Sequence, residues 1–153
     1  MFDRFARTAR WVVEQAYHEA RVAGSPTIEA EHMLLALTAC EDVAPALGFD
    51  HDALSDALDI EFTAALDVVG VSADTYGSPP PAVVVGDKRS MGTSGKLALE
   101  RAIKLAAARR DKRMVAAHLA LGVLKAEHGT VPRALALAGI DRTAAADRVA
   151  ATL

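Results

Sequence analysis

A displacement of 86 residues, the interval from Arg10 to Lys96, lays the second half of this chain on the first. It pairs Glu14 with Glu100, Ala16 with Ala102, Ala20 with Ala106, Ala30 with Ala116, His32 with His118 and Leu35 with Leu121. After a five-residue insertion in the second copy, Gly48 meets Gly139 and Asp50 meets Asp141. A duplication of this kind narrows the choice of folds sharply. The module built by the first half must form twice, and the two copies can bury matching faces against each other.

The module itself reads as helical. Phe5, Ala9, Val12, Val13, Ala16 and Ala20 recur at spacings of three and four, which predicts an amphipathic helix over 3–23 with Asp3 as its N-cap. Gly24-Ser25-Pro26 stops it. Residues 29–40 begin with acids that suit a helix N-terminus and continue through Met33, Leu34, Leu35 and Leu37, a helix with little polar face that must be buried. A short helix over Val43–Leu47 ends at Gly48, and Asp50 caps another over 51–66, with Leu54, Leu58 and Phe62 between its acids. The second copy repeats the order over 94–110, 114–127, Val131–Ala138 and 142–153. The expected class is therefore all-α: two tandem, pseudo-symmetric four-helix repeats packed as one domain of about eight helices.

Between the copies the pattern breaks. Residues 68–92 hold Gly, Ser and the Pro79-Pro80-Pro81 run, which cannot continue a helix. The expected organisation is a first repeat over 1–67, a Pro/Gly-rich linker over 68–92 with a short strand at Val83–Val85, and a second, degenerate repeat over 93–153.

Composition limits the chemistry. Hydrophobic residues make up 52% of the 153 and aromatics only 5%, so the core is aliphatic and rich in alanine. A lone cysteine, Cys40, excludes an internal disulfide and fits a reducing compartment. No signal sequence or membrane-length apolar run is legible, so a cytoplasmic location is expected. The net charge of −3 conceals an imbalance: residues 1–86 carry 4 basic and 14 acidic side chains, residues 87–153 carry 13 and 6. Such asymmetry reads either as mutual attraction of the halves or as an anionic partner for the second.

Catalytic signatures are absent. No HExxH, cysteine pair or GxSxG is present, so neither a metal, a cofactor nor an enzymatic activity is expected. His32 and His118 read as core histidines at helix starts, His18, His51 and His128 as isolated exposed ones, and Cys40 as buried filler. The acids of 50–61 read as the wet face of a helix. Arg109-Arg110-Asp111-Lys112-Arg113 falls at a helix C-terminus, where cations are favoured. No aromatic residue interleaves with it, which argues against nucleic acid. A helical nucleic-acid-binding or regulatory protein using the basic half stays open as the alternative function.

The segment from Phe5 through Ala9 and Glu19-Ala20 to Glu31-His32-Met33-Leu34-Leu35-Ala36-Leu37 resembles the Clp repeat, the N-terminal domain of ClpC-type AAA+ unfoldases. Lys96, Leu99-Glu100, Ala106 and His118-Leu119-Ala120-Leu121-Gly122 match the same pattern more weakly in the second copy. The family's ATPase signature has no counterpart here: Gly92-Thr93-Ser94-Gly95-Lys96 lacks the spacing of a phosphate loop and is followed by Leu97. The resemblance thus implies a stand-alone bacterial module that binds protein or peptide ligands, as an adaptor or decoy in Clp-dependent proteolysis. Its implied partners are Clp unfoldase or protease components, their substrates or adaptors, with cyclic peptides as a further class.

The resemblance also implies sites. Relatives hold phosphorylated arginine with the Glu of Thr-Glu-His and the Thr of Phe-Thr. Here Glu31 keeps the first role, whereas Ala6 and Gly92 stand at the Thr positions and Ala117 at the second Glu, so this site is expected to be impaired. Thr93 lies one step from Gly92. A second implied surface lies between the first helices of the two copies, with Phe2, Arg10, Met91, Lys96, Leu99 and Glu100 as contacts.

Overall fold

Ala9, Val12, Ala16 and Ala20 form the buried stripe of helix α1 (Arg7–Val22), and Gly95, Ala98, Ala102 and Ala106 form that of α5 (Thr93–Ala108). These two stripes are related residue for residue by the same displacement that aligns the sequence. The computed structural model describes residues 5–72 and 88–153. Its remaining elements are β1 (Thr27–Ile28), α2 (Ala30–Leu37), α3 (Ala44–Leu47), α4 (His51–Val68), β2 (Ser90–Met91), α6 (Ala116–Leu124), α7 (Thr130–Leu137) and α8 (Arg142–Ala150). The fold is all-α, with eight helices and two strands of two residues each among the described residues.

α2 and α6 form the centre. Every residue of α6 is buried, and every residue of α2 except Glu31. Helices this apolar are stable only when covered on all sides. α1 lies across α2, α5 lies across α6, and α2 touches α6. The outer helices interlock: α4 of the first copy packs on α7 of the second, and α3 packs on α8. Small side chains set the spacing. A Cβ added to Gly122 of α6 would lie 2.3 Å from the Ala98 carbonyl oxygen of α5, so this crossing requires glycine.

The copies are also joined through their backbones. β1 pairs in parallel with β2, Ile28 opposite Met91, and Phe5 bridges in parallel to Met114. Gly92 N–H donates to the Ile28 carbonyl and Ala6 N–H to the Met114 carbonyl, both at 2.9 Å. The segment before the first helix of each copy thus pairs with the segment before the second helix of the other.

This exchange corrects several sequence expectations. α1 starts at Arg7, because Phe5 and Ala6 are spent on the bridge; Asp3 and Phe2 lie outside the described residues, as does Val83–Val85. The helix expected from 114 starts at Ala116 for the same reason. The expected linker span gives Val68 to α4 and Ser90–Met91 to β2. Phe62, placed on the apolar face of α4, is 48% exposed, while Glu61, placed on the wet face, is buried and bonded to Arg133 at 3.1 Å. On α5, Leu97 and Ile103 are exposed, because alanine rather than leucine fills its buried stripe.

The opposite charges of the halves are mostly not spent on one another: Glu61–Arg133 is the one ion pair between them among the described residues. Asp50 and Asp141 do cap their helices, accepting from Ala53 N–H at 2.8 Å and Ala144 N–H at 3.0 Å. No described helix is long and apolar enough to cross a membrane.

Candidate functional site: the seam between the repeats

Two half-sites follow from the backbone exchange, each built from both copies. In the first, the start of α2 faces the start of α5; in the second, the start of α6 faces the start of α1. Hydroxyls tie them in the same way. Ala30 N–H donates to Ser94 Oγ at 2.9 Å, and Ala116 N–H to Thr8 Oγ1 at 3.3 Å. Each core histidine also serves its own helix start. His32 Nδ1 accepts from Glu29 N–H and His118 Nδ1 from Val115 N–H, both at 2.9 Å. A nitrogen that accepts an N–H bond is unprotonated, so the hydrogen of His118 sits on Nε2 and is donated to Asp111 at 2.8 Å.

The cross-copy arrangement changes which expected site residues meet. Gly92 belongs with Glu29 and Glu31 in the first half-site; Ala6 and Thr8 belong with Ala117 in the second. The strand-like pairing places each first-helix start beside the other copy's second helix. The hydroxyl of the first half-site is Ser94, the counterpart of Thr8, while Thr93 is exposed.

Glu29 dominates the first half-site. Its carboxylate accepts from Thr27 Oγ1 at 2.7 Å, from Ser94 N–H at 3.1 Å and from Ser94 Oγ. Gly92, the N-cap of α5, has no side chain to offer, so Glu29 caps that helix from the other copy. Burial alone would raise the Glu29 carboxyl; bonds from Ser94, Thr27 and the Ser94 and Gly95 backbone outweigh it and hold it below its ordinary value. A Cβ on Gly92 would fall 1.7 Å from Glu29 Oε1.

Glu31 is its opposite. Partial burial raises its carboxyl above the ordinary value, its own N–H opposes this weakly, and the Glu29 and Glu61 charges add to the rise. Among the described residues no cation is paired with it. It opens into a cavity of about 210 Å³ lined also by Ser94, Leu97, Arg101, His128 and Pro132. Arg101 donates instead to the Gly122 carbonyl at 2.7 Å.

The second half-site has no such carboxylates. Val115 and Ala117 replace Glu29 and Glu31, and Arg7, Thr8 and Asp42 line a pocket of about 480 Å³. Trp11 and the buried Cys40 lie in an adjoining one of about 380 Å³.

With that geometry in view, comparison with solved structures is decisive for the architecture. The N-terminal domain of the caseinolytic protease associated chaperone ClpD from Arabidopsis thaliana superposes with a TM-score of 0.73 at 18% identity, over 99% of this chain and 95% of that one. This is the Clp N-terminal domain fold. The Hsp104 N-terminal domain from Candida albicans matches with a TM-score of 0.65 at 14% identity, over 95% and 88% of the two chains. A protein of a malarial protein secretion system matches at 0.68 and 14%, over 97% and 93%. No family model and no curated protein sequence matches the chain.

Within this Clp N-domain fold the other expected contacts are placed as follows. Arg10, Lys96 and Glu100 are exposed on α1 and α5, and Arg10 Nε donates to the Phe5 carbonyl at 3.3 Å. Met91 and Leu99 are half-buried against the core. His51 is not isolated as expected: as the first residue of α4 it pairs with Glu19 of α1 at 2.9 Å. Arg109, in the basic cluster, bonds Asp111, and the His118 bond first and Arg109 second hold that carboxyl below its ordinary value. Sequence reasoning missed Glu29, Thr8 and Ser94. The two hydroxyls were signalled by their common place under the displacement.

Proposed function

We propose that this chain is a ligand-capturing module that binds protein or peptide segments along the seam between its repeats, as an adaptor or decoy in Clp-dependent proteolysis. Arg10, Met91, Lys96, Leu99 and Glu100 offer the outer contacts, and Glu31 receives a guanidinium or ammonium group. The observation that carries this reading is a Glu29 that caps α5 beside a Glu31 with no ion-pair partner among the described residues. A partly desolvated carboxylate with two like charges nearby gains most from an incoming cation, and a planar guanidinium can make two bonds to it. Glu29 meanwhile occupies the anion position at the start of α5, where a phosphate would otherwise find free N–H groups. The half-site therefore favours an unmodified arginine or lysine, and phospho-arginine binding is impaired by repulsion as well as by the missing threonines.

Titration with an arginine-containing peptide and with free phospho-arginine tests this. The peptide binds the wild type and loses affinity with Glu31→Ala. Phospho-arginine binds only once Glu29→Ala and Gly92→Thr are combined. Tighter binding of phospho-arginine than of arginine by the wild type overturns the reading. Co-precipitation with Clp components from a bacterial host tests the adaptor or decoy role, and no retention of any of them counts against it.

A further inference from the structure

The cavity of Glu31 holds a second charge without an ion-pair partner among the described residues: Arg101 lines it from α5. Its volume, about 210 Å³, is below the roughly 300 Å³ of a drug-sized site and gives room for one long residue. Arg101 Nε donates to the Gly122 carbonyl at 2.7 Å, near the end of α6. Ala126 N–H, which a longer helix would give to that carbonyl, bonds Val123 instead. The arginine thus closes the helix end with one nitrogen and keeps the two terminal nitrogens of its fork for another acceptor. One cavity contains a carboxylate with no cation and a guanidinium with no anion, and no ion pair joins the two.

The two charges enter from different ends. Glu31 follows Ala30, whose N–H donates to Ser94 Oγ at the start of α5. Arg101 lies two turns further along that helix, about 10 Å at 1.5 Å per residue. Ser94, Leu97 and Arg101 recur at spacings of three and four and share the cavity face. Leu97, Val131 and Pro132 give it apolar wall. Glu127 and His128 line it too, but both are exposed, where water screens charge.

Resting on the reading of Glu31 as a receptor for cations, we propose that this cavity takes an arginine or lysine that bears a free α-carboxylate. The side-chain cation meets Glu31, the methylene stem lies along Leu97, Val131 and Pro132, and the carboxylate meets Arg101. In such a residue the whole length of the side chain separates the two charges, which suits poles set two helical turns apart. A phosphorylated guanidinium carries both charges on one group and cannot span them. The carboxylate can belong to the last residue of a peptide or to the free amino acid.

A short peptide ending in arginine, labelled at its N-terminus, is titrated as the free acid and as the C-terminal amide. Fluorescence anisotropy at about 0.15 M salt is expected to show the acid binding at least about tenfold more tightly to the wild type. Arg101→Met brings that ratio below about twofold, and Arg101→Lys, which keeps a cation, restores part of it. Glu31→Gln weakens acid and amide by the same factor. Equal binding of acid and amide by the wild type overturns the proposal, even where Glu31→Gln weakens both and so upholds the cation reading. A ratio that Arg101→Met leaves intact also overturns it. No effect of Glu31→Gln on either ligand overturns the cation reading and the proposal with it. Displacement of the peptide by an equal concentration of free arginine supports the site and assigns it to the free amino acid; weaker displacement supports it and assigns it to a peptide end.

Discussion

The carboxylate of Glu29 fills the space that a side chain at Gly92 would need, 1.7 Å separating Oε1 from an ideal Cβ at that position. The two residues belong to different repeats and are coupled by geometry. Gly92→Ala displaces the carboxylate and costs about 1.5–3 kcal/mol, the worth of a charged hydrogen-bond set. In a Glu29→Ala background the same substitution costs far less. Urea unfolding of the four forms measures the coupling, and additive costs would refute it.

Gly122→Ala brings a methyl group to 2.3 Å from the Ala98 carbonyl oxygen and forces α5 away from α6. The expected loss is about 1–3 kcal/mol, read as a lower urea midpoint with an unchanged slope. Ala36→Gly, at the corresponding place in the first copy, gives the smaller loss of about 1 kcal/mol that helix propensity alone sets.

The two carboxylates of the first half-site respond to pH with opposite sign. Glu29 lies below its reference value of 4.5, so its contribution is present above pH 4.5 and is lost as pH falls through its folded value. Glu31 lies above 4.5, so its ionised form opposes folding at neutral pH, and that penalty disappears as pH falls toward 4.5. Glu31→Gln is therefore expected to stabilise at pH 7 and to be neutral at lower pH, whereas Glu29→Gln destabilises at pH 7. Thermal unfolding across this range decides it.

Asp50→Ala and Asp141→Ala each remove an N-cap bond and are expected to cost about 1 kcal/mol apiece. Asp50 and Ile140, which precedes Asp141, line the same pocket, so the double variant reads whether the two costs couple. Calorimetry of the single and double variants checks both the size and the additivity.

Much of this protein was legible before its coordinates. The helix stripes of α1 and α5, the buried α2 and α6, and the Gly-x-Asp stops are local consequences of side-chain period and turn chemistry. Their recurrence revealed the duplication. The boundaries near Phe5 and Met114 were not legible, because both residues suit a helix and only the partner copy claims them for a bridge. Glu61 and Phe62 were exchanged for a similar reason: neighbours on a helix differ by a fraction of a turn, and Arg133, distant in sequence, decides which one is buried.

The amino-acid order by itself determined an all-α, twice-built, alanine-rich domain with one intact Glu-His motif, since periodicity and spacing act within a single helix. Only the tertiary structure decided that each half-site draws on both repeats, that Glu29 caps α5, and that Glu31 has no cation beside it among the described residues. Those facts depend on backbone exchange between segments some 60 to 110 residues apart, Ile28 with Gly92 and Ala6 with Met114. No local pattern encodes a contact at that distance; it exists because two copies bury their central helices against each other.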